Sequence, residues 1–528
     1  MTGATDTWRP LETILAVGAG SSPEQLLRVL AAEGTATASR TATLHRTFLD
    51  TFDWRLWLAG AGLVLESAGK RRTLHWRPAG ASTVSAGVPA APRRCDDLPE
   101  GTLRREVGAI AATRALLPMG EARVRLRLLH VLDAQGKTTV RIRWEESTVV
   151  GPAPQQSGDP RSTLHLEPLA GYAGAAKRVR NRLLTLPWLT PSEDAGLVEA
   201  AAARGRHPGD YSSRLDLHPH PLEPAADGVR LVLRHLLATL QANVDGTVHD
   251  LDTEFLHDLR VAVRRTRSAL GQLDGVLDPA ATARFSGPFR WLGNVTGTCR
   301  DLDVFLEDIA ADLRDLDPAT VAALGPVLEL LRRQRADAHR VVARALRSRR
   351  FAALVDDWDA FLRAEPPAAG GADAARPLRE VAVERIQRAY GRYVKHTRRL
   401  GSQPAAEGMH RLRIDAKKLR YLLEFFVNIV DREAGRTLVR ELKATQDSLG
   451  RYHDLHVQQA RLLDLGRRMV ESGGYTGDTL LATGRFAAFL ETRQRQHHRD
   501  FALRFDAFAG PDVKAAVDGL GREGGSVS

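Results

Sequence analysis

A histidine and several arginines recur along one short segment at spacings that suit one side of a helix. In the sequence HDLRVAVRRTR, four residues fall within roughly 80° of one another on a helical wheel: His257, Arg260, Arg264 and Arg267. Leu259, Val263 and Leu270 lie on the opposite side. Solvated helix faces usually mix the signs of their charges, and this one does not. Guanidinium groups collected in this way suit the binding of phosphate oxygens.

The same register returns farther along the chain, in the sequence HRLRIDAKKLR that begins at His410, offset by 153 residues (410 − 257). The same offset separates RDLDV at Arg300 from HDLHV at His453, and Gly297 from Gly450. Matches that keep one fixed offset indicate an internal duplication. The second stripe has four members that correspond to the first: His410, Arg413, Lys417 and Arg420.

The composition limits the classes of protein that the chain can represent. With 528 residues, of which 43% are hydrophobic and 26% charged, the chain is long enough for two or three domains. A net charge of +11 and an isoelectric point of about 10.0 favour a polyanionic partner. Cys95 and Cys299 are too few for a disulfide framework or a cysteine metal site. Since no signal peptide or long apolar span is evident, we expect a cytoplasmic protein without a membrane segment.

The first part of the chain alternates apolar and polar residues as β-strands do. Val124, Leu126 and Leu128 alternate with arginines, and Val140 and Ile142 do so after the turn sequence AQGK, which predicts an antiparallel hairpin. The arginines of this hairpin face either solvent or the lumen of a barrel.

Helical spacing replaces this alternation after a stretch rich in proline and histidine between residues 204 and 224. The predicted domains are residues 1–214 and 222–510, and the second contains repeats at about 222–364 and 378–510. Residues 511–528 are expected to form a disordered tail.

Both repeats contain H-x-L-R-[VI], a basic pair and R-x-x-L, followed by a DL[DH]V block. These motifs resemble the CHAD family, the conserved histidine α-helical domain, over roughly residues 222–508. The resemblance implies two all-α bundles related by pseudo-twofold symmetry, with histidines and basic residues lining a channel that binds inorganic polyphosphate. It implies a polyphosphate-binding site of ten residues: His257, Arg260, Arg264, Arg265, Arg267, His410, Arg413, Lys417, Lys418 and Arg420.

Several of these residues also have a structural interpretation. His257 and His410 either contact the ligand or hydrogen-bond within the helix packing, and Arg265 and Lys418 lie off the main stripe. Three aspartates could suggest a metal cluster, but we expect them to hold arginines through ion pairs: Asp301, Asp303 and Asp454. We accordingly predict no metal ion and no other cofactor.

The N-terminal region resembles the CYTH family, or triphosphate tunnel fold, in the sequence HRTFLDTFDWRLWLAGAGLVLES. The resemblance implies an antiparallel β-barrel that uses divalent metal to hydrolyse or cyclise triphosphates. The E-x-E-x-K strand of that family is replaced here by ETILA, which keeps Glu12 but has Ile14 and Ala16. Val64 and Glu66 stand where basic residues would be expected. Because a site that has lost carboxylates holds metal poorly, we expect no catalytic residues and an inactive domain.

Two other functions compete with polyphosphate binding. The first is a metal-dependent triphosphatase or polyphosphatase, for which four carboxylates are suspected: Glu12, Glu121, Glu145 and Glu167. Anion binding could also outlast hydrolysis in this domain if the surviving cations line its lumen: Arg77, Arg123, Arg125 and Arg141. The second, nucleic-acid binding, is disfavoured because the basic stripes contain no aromatic side chains on which bases could stack.

Taken together, the sequence predicts a multi-domain α+β protein. An N-terminal, tunnel-like antiparallel β-barrel would precede a C-terminal all-α region of duplicated helical bundles. The leading hypothesis is an inorganic polyphosphate-binding protein in the cytoplasm, associated with polyphosphate granules, with no nucleic-acid or membrane partner. The sequence does not indicate an oligomeric state.

Overall fold

The computed structural model describes the chain from residue 13 to residue 521 with short gaps. It leaves out residues 33, 82, 152–157, 170, 193–195, 365–370, 400–405 and 509, and it gives the backbone alone at residues 168, 406–407, 444–445, 447–449, 453 and 498–507. The chain divides into two compact units, Met1–Ser212 and Ser213–Ser528. The domain boundary predicted from the sequence lay between residues 214 and 222.

The first unit is built on ten β-strands. Their bounds are as follows: β1 (Thr13–Val17), β2 (Thr35–Ala38), β3 (Ala42–Asp50), β4 (Gly62–Ala68), β5 (Arg71–Arg77), β6 (Val84–Gly87), β7 (Leu117–Leu132), β8 (Thr138–Val149), β9 (Arg161–Pro168) and β10 (Leu189–Pro191). β7 and β8 pair as an antiparallel hairpin, with a turn in which Gly136 has a φ of 77°. The predicted hairpin is therefore confirmed.

All neighbouring strands of the sheet are antiparallel, in the order β10-β1-β9-β8-β7-β3-β4-β5-β6, with β2 added to β7. The antiparallel arrangement confirms that part of the prediction. In the described part of this unit no ladder of hydrogen bonds joins β6 to β10, so the predicted barrel does not close. Only the closure of the barrel was predicted wrongly. Alternation along a single strand indicates which residues lie on each face of a sheet, but it does not indicate whether the edge strands pair with each other.

The two faces of this sheet differ in chemistry. One face is apolar, and Trp76, Trp144 and Leu164 on it are at most 2% exposed. The helices of this unit are the following: α1 (Pro23–Leu30), α2 (Arg55–Leu58), α3 (Thr102–Ala111), α4 (Ala173–Leu184) and α5 (Gly196–Ala202). Helices α1, α3 and α4 cover the apolar face. α5 packs on the other face, where a Cβ atom added to Gly120 would lie 2.5 Å from Ala200, so this close approach requires a glycine.

The second unit consists, in its described residues, of helices and their connecting segments. The α-helices are the following: α6 (Ala225–Ala242), α7 (Val244–Val248), α8 (Thr253–Gln272), α9 (Pro279–Val295), α10 (Gly297–Asp312), α11 (Pro318–Ala323), α12 (Gly325–Leu346), α13 (Arg349–Arg363), α14 (Leu378–Arg399), α15 (Ala406–Phe426), α16 (Arg432–Ser472), α17 (Gly477–Phe508) and α18 (Pro511–Gly519). None of the described helices is long and apolar enough to cross a lipid bilayer.

The duplication is visible in the placement of these helices. The two basic stripes lie on α8 and α15, and the two later matching blocks lie on α10 and α16. Leu259 and Val263 of α8 and Leu412 and Leu419 of α15 are all fully buried in one shared core. The predicted all-α, duplicated architecture of this region is confirmed.

The end of the chain departs from the prediction. Residues 511–519 form α18, and its Val513 and Val517 are both 3% exposed, in the main core of the second unit. The expectation of a disordered tail from residue 511 was therefore wrong over this segment, because the two valines one helical turn apart bury an apolar stripe. Residues 522–528 lie outside the described part of the chain.

Candidate functional site

The basic stripe of the first repeat is positioned by α8. Asp252 caps this helix, since its Oδ1 accepts hydrogen bonds from the backbone N–H of Glu254 at 2.9 Å and of Phe255 at 3.2 Å. Leu259 and Val263 anchor the opposite side of the helix in the core. The cationic side is therefore turned away from that core.

The matching stripe lies on α15, which packs against α8. Gln272 Nε2 donates a hydrogen bond to the carbonyl oxygen of Lys418 at 3.0 Å, and Arg265 Nη2 donates to Glu424 at 2.7 Å. Both contacts join the two repeats. The fold therefore brings together two stripes that are 153 residues apart in the sequence.

Four cations, two from each repeat, make up what we call the basic face: Arg260, Arg264, Arg413 and Lys417. Burial, and after it the charge of Arg264, lowers the pKa of Arg260 to about 10. Burial, and then the charges of Arg413 and Arg264, lower the pKa of Lys417 to about 7. The pKa of Arg413 is also lowered, by burial and by Arg264, although a carboxylate opposes the shift. Because one arginine of α8 acts on both cations of α15, the stripes converge.

Few protein groups accept hydrogen bonds from the basic face. Arg260 Nη1 donates to the carbonyl oxygen of Gly293 at 2.9 Å and to Thr296 Oγ1 at 3.0 Å. Among the described residues, Asp454 is the one carboxylate in ion-pair contact with the face, at 3.6 Å from Arg413 Nη2. The Nε atoms of all three arginines of the face are buried and have no acceptor within the described part of the chain. Buried donors without acceptors cost free energy, so the face favours an added acceptor.

The three aspartates suspected from the sequence occupy different surroundings. Asp303, 2% exposed, accepts a hydrogen bond from Arg335 Nε at 2.7 Å. Asp454 pairs with Arg413, and Asp301 acts on Arg413 through its charge. Asp303 and Asp454 thus form the ion pairs expected of them. The residues that the structure describes contain no group of three or more His, Cys, Asp or Glu side chains that could hold a metal ion.

Two arginines of the predicted site are held by side chains at its edge. Arg265 donates to Glu424 through Nε and Nη2, at 2.9 and 2.7 Å, and to the carbonyl oxygen of Ser213 through Nη1 at 3.0 Å. Arg420 donates to Gln446 Oε1 at 2.9 Å and lies 3.0 Å from Glu424. Both arginines therefore already have anionic or polar partners.

The remaining predicted residues differ in their exposure. Arg267, Lys418 and His410 are exposed, whereas His257 is half-buried. Both histidines also interact with other groups of the chain. Their contacts therefore fit the packing interpretation as well as the ligand interpretation.

Two further cations near the face were not included in the sequence-based site. The side chain of Arg300 on α10 is 13% exposed, and its charge lowers the pKa of Arg260. Arg461 on α16 has a pKa lowered by burial, with the charge of Asp301 opposing the shift. The repeated RDLDV block was a signal for Arg300, but Arg461 corresponds to Asp308 in the first repeat, so the duplication does not indicate it.

The first unit contains a second cluster of charged side chains, on the face of its sheet against which α5 packs. Arg46 of β3 lies 2.5 Å from Glu66 of β4 and 2.8 Å from Glu145 of β8. Arg143 of β8 contacts the same two carboxylates, at 2.9 and 2.7 Å. The four side chains are between 1% and 17% exposed. They form a closed arrangement in which positive and negative groups alternate, which we call the ionic ring.

The ionic ring is electrostatically satisfied. Burial alone would raise the pKa of Glu145, but the charge of Arg46, followed by those of His165 and Arg143, lowers it to about 2. In the same way the pKa of Arg46 is raised by Glu145 and Glu66 in spite of its burial. Two guanidinium groups and two carboxylates cancel in net charge, so this cluster offers little attraction to an external anion.

The carboxylates suspected of catalysis in the first unit already have partners where they are described. Glu121 lies 3.1 Å from Arg204, and Glu167 lies 3.4 Å from Arg141. Glu145 belongs to the ionic ring, and Glu12 lies outside the described residues. Each described member of the set thus contacts a guanidinium group.

The arginines considered as a lumen lining are divided between the two faces of the sheet. Ala122 is directly opposite Arg46 in the β3–β7 register and shares its face. The neighbouring Arg123 and Arg125 therefore point to the other face, where both are exposed. Two members of this set lie on the face of the ionic ring. Arg141 is two residues from its Arg143, and Arg77 shares the face of Thr73, which is directly opposite Glu66.

The second unit matches a known family. Residues 231–463 match the model of the CHAD domain family. An uncharacterized protein of Mycobacterium tuberculosis is 26% identical over 290 residues, which cover 54% of this chain and 53% of that protein. The chain spans about half the length of the curated relatives it matches.

Solved structures resemble parts of the chain. The CHAD domain from the plant Ricinus communis is 26% identical, covers 59% of this chain and 98% of that one, and gives a TM-score of 0.46. A Hippeastrum protein, described as revealing a dominant triphosphatase activity, is 12% identical, covers 38% of this chain and 99% of its own, and gives a TM-score of 0.25. It is the family model that assigns a CHAD domain to residues 231–463, and every member of the basic face lies within that range.

Proposed function

We propose that the CHAD domain of this chain binds inorganic polyphosphate along the basic face. The observation that supports this most is the convergence of four cations from two repeats, with one ion-pair contact to a carboxylate among the described residues. A linear polyanion with about one charge per phosphate would contact cations on both helices at once.

The charge state of the face favours such a ligand. Besides burial, mutual repulsion lowers the pKa values of Arg260, Arg413 and Lys417 in the free protein. A bound polyanion would relieve this repulsion and favour the protonated forms. Part of the binding free energy would therefore come from strain that the unliganded face already contains.

The types of cation also suit phosphate. Three guanidinium groups can each form bidentate contacts with phosphate oxygens, and their buried Nε atoms lack acceptors within the described residues. Lys417 adds a compact charge that can follow a flexible polymer. This combination of cations would contact the phosphate groups of a ligand and no other chemical group.

Single-stranded nucleic acid fits the face less well. Non-specific single-strand binding depends on exposed aromatic side chains on which bases stack. Tyr421, the aromatic residue next to Arg420, is 5% exposed and belongs to the core. We therefore propose a phosphate polymer without bases as the ligand, and through it an association with polyphosphate granules in the cytoplasm.

The proposal can be tested by titrating labelled long-chain polyphosphate and single-stranded DNA against the full chain at near-physiological salt. The test variant is Arg260→Glu/Arg413→Glu, which reverses one charge on each helix. We expect tight, polyphosphate-selective binding that weakens by about 100-fold or more in the variant, because several phosphate contacts are lost together. A second variant, Arg264→Gln/Lys417→Gln, removes no hydrogen bond that the structure describes and guards against misfolding.

A matched control is available in the same unit. Arg344 and Arg436, one from each repeat, are exposed, and reversing both charges changes the net charge equally. Binding of the control Arg344→Glu/Arg436→Glu should stay close to that of the unmodified chain. Equal affinity for the two polymers, or polyphosphate binding that survives both site variants, would overturn the proposal.

A further inference from the structure

The two repeats treat the last arginine of their stripes differently. In the second repeat, Arg420 donates to Gln446 Oε1 at 2.9 Å and lies 3.0 Å from Glu424 one turn along α15. Gln446 is itself fixed, because its Nε2 donates to the carbonyl oxygen of Ala416. The guanidinium group of Arg420 is therefore held in one place and partly neutralised.

In the first repeat, glycines stand at the two positions that correspond to the side chains contacting Arg420. At the offset of 153 residues Arg420 corresponds to Arg267, Glu424 to Gly271 and Gln446 to Gly293. Arg267 is exposed, and the described residues provide it with no hydrogen bond or ion pair. A Cβ atom built on Gly293 would lie 2.8 Å from Arg267 Nη1, so the guanidinium group occupies the space that a side chain would fill.

We propose that Arg267, which extends the stripe of α8 beyond the basic face, is a mobile phosphate-capturing residue, and that Arg420 is its fixed counterpart. This inference rests on the proposed function and adds to it a functional difference between the two repeats. A free guanidinium group retains its full charge and can follow successive phosphates along a polymer. A held one adds a preformed contact at lower entropic cost but with part of its charge cancelled.

The first test uses the free protein and needs no ligand. Phenylglyoxal modifies accessible arginines, and mass spectrometry of the full chain reports the rate at each position. We expect Arg267 to react several times faster than Arg420, and Arg420 to accelerate in the variant Glu424→Gln/Gln446→Ala. Equal rates for the two arginines in the unmodified chain would overturn the inference and would leave the proposed function standing.

The second test introduces into the first repeat the two side chains, glutamate and glutamine, that contact Arg420 in the second repeat. A side chain at Gly271 would meet no atom within 4 Å, and at Gly293 the one close neighbour is the flexible end of Arg267, so Gly271→Glu/Gly293→Gln should fold. We expect polyphosphate affinity to fall by about tenfold, as in Arg267→Gln, with unchanged thermal stability. The control Gly484→Glu adds the same charge at another open helical position and should leave affinity unchanged.

The outcomes separate the two proposals. If polyphosphate binds and the swap variant behaves like the control, the assignment of Arg267 is wrong and the basic face remains the site. If the unmodified chain binds no polyphosphate and no ligand slows the labelling of Arg267, the proposed function fails and the capturing role fails with it.

Discussion

The molecule contains two clusters of arginines, and they differ in what surrounds them. In the ionic ring of the first unit, Arg46 and Arg143 each contact two carboxylates at 2.9 Å or less. In the basic face of the second unit, the described residues offer one carboxylate contact, from Asp454 to Arg413 at 3.6 Å. The same residue type is therefore neutralised by carboxylates in one cluster and keeps most of its positive charge unpaired by carboxylates in the other.

The directions of the pKa shifts express this difference. Arg46 and Arg143 are both mostly buried, yet carboxylates raise their pKa values. The pKa values of Arg260 and Arg413 are lowered by burial and by neighbouring cations. A count of arginines along the sequence does not identify an anion site, since the partners decide whether positive charge remains available.

The largest effect that would test this comparison is expected in the ionic ring. Glu145→Gln removes a carboxylate that is 1% exposed and leaves Arg46 and Arg143 with one ring partner each. We expect the free energy of unfolding of the first unit to fall by about 3–5 kcal/mol. Hydrogen exchange of β8 amides in the full chain measures this change for that unit alone.

The neighbouring Glu146 supplies the control. It pairs with Arg125 at 3.0 Å, but the arginine is 64% exposed, so Glu146→Gln should cost less than about 1 kcal/mol. Similar losses in both variants would show that the ring is not a buried, satisfied cluster.

The ring also predicts a response to acid. The pKa of Glu145 is lowered from 4.5 to about 2 in the folded chain. A lowered pKa means that the stabilisation is complete above the unfolded value and is lost as the pH falls through about 2. Between these pH values the first unit should lose stability in the unmodified chain, and Glu145→Gln should lose less over the same interval.

A smaller effect is expected from Lys417 in the basic face. Its pKa of about 7 reflects burial and the charges of Arg413 and Arg264, with Asp454 opposing them. Because a polyanion favours the charged amine, polyphosphate affinity should rise by about tenfold as the pH falls through 7. Titrations between pH 5.5 and 8.5 would measure this rise.

Two variants identify the group responsible for the pH dependence. Lys417→Arg keeps the charge throughout this range and should flatten the profile. His257→Gln/His410→Gln should leave the profile in place. Should the histidine variant flatten it instead, the two histidines and not Lys417 would be responsible for the pH dependence.

The smallest predicted effect concerns ionic strength. Each phosphate neutralised by a cation releases condensed counterions, so the logarithm of the affinity falls linearly with the logarithm of salt concentration. Arg413→Gln should make that slope shallower by an amount similar to the roughly 0.7–0.9 per phosphate contact found for nucleic acids. The exposed Arg436→Gln should not change the slope, and a salt-independent affinity in the unmodified chain would contradict an ionic site.

Local spacing in the sequence was enough to indicate part of the candidate site. Arg264 and Lys417 were identified because helical periodicity and a fixed offset are properties of short segments. The strands of the first unit were predicted for the same reason. The hairpin of β7 and β8 could be predicted from the alternation of apolar and polar residues along each strand and from the turn sequence between them.

The sequence did not predict features that depend on pairing between distant segments. Glu66 was recognised as a departure from an expected basic strand, but its partners lie on β3 and β8 and depend on strand register. Arg461 has no counterpart cation in the first repeat, and its position near Asp301 follows from helix packing. The open sheet likewise depends on strand edges, which no local pattern reports.

Arginine labelling of the full chain, with and without long-chain polyphosphate, would show whether the polymer binds to the basic face or to the first unit. One experiment reports on both regions. If the basic face is the site, the polymer should slow modification of Arg260, Arg264 and Arg413 and leave that of Arg123 and Arg125 unchanged. Protection confined to arginines of the first unit, with those of the basic face still reactive, would contradict binding by the basic face.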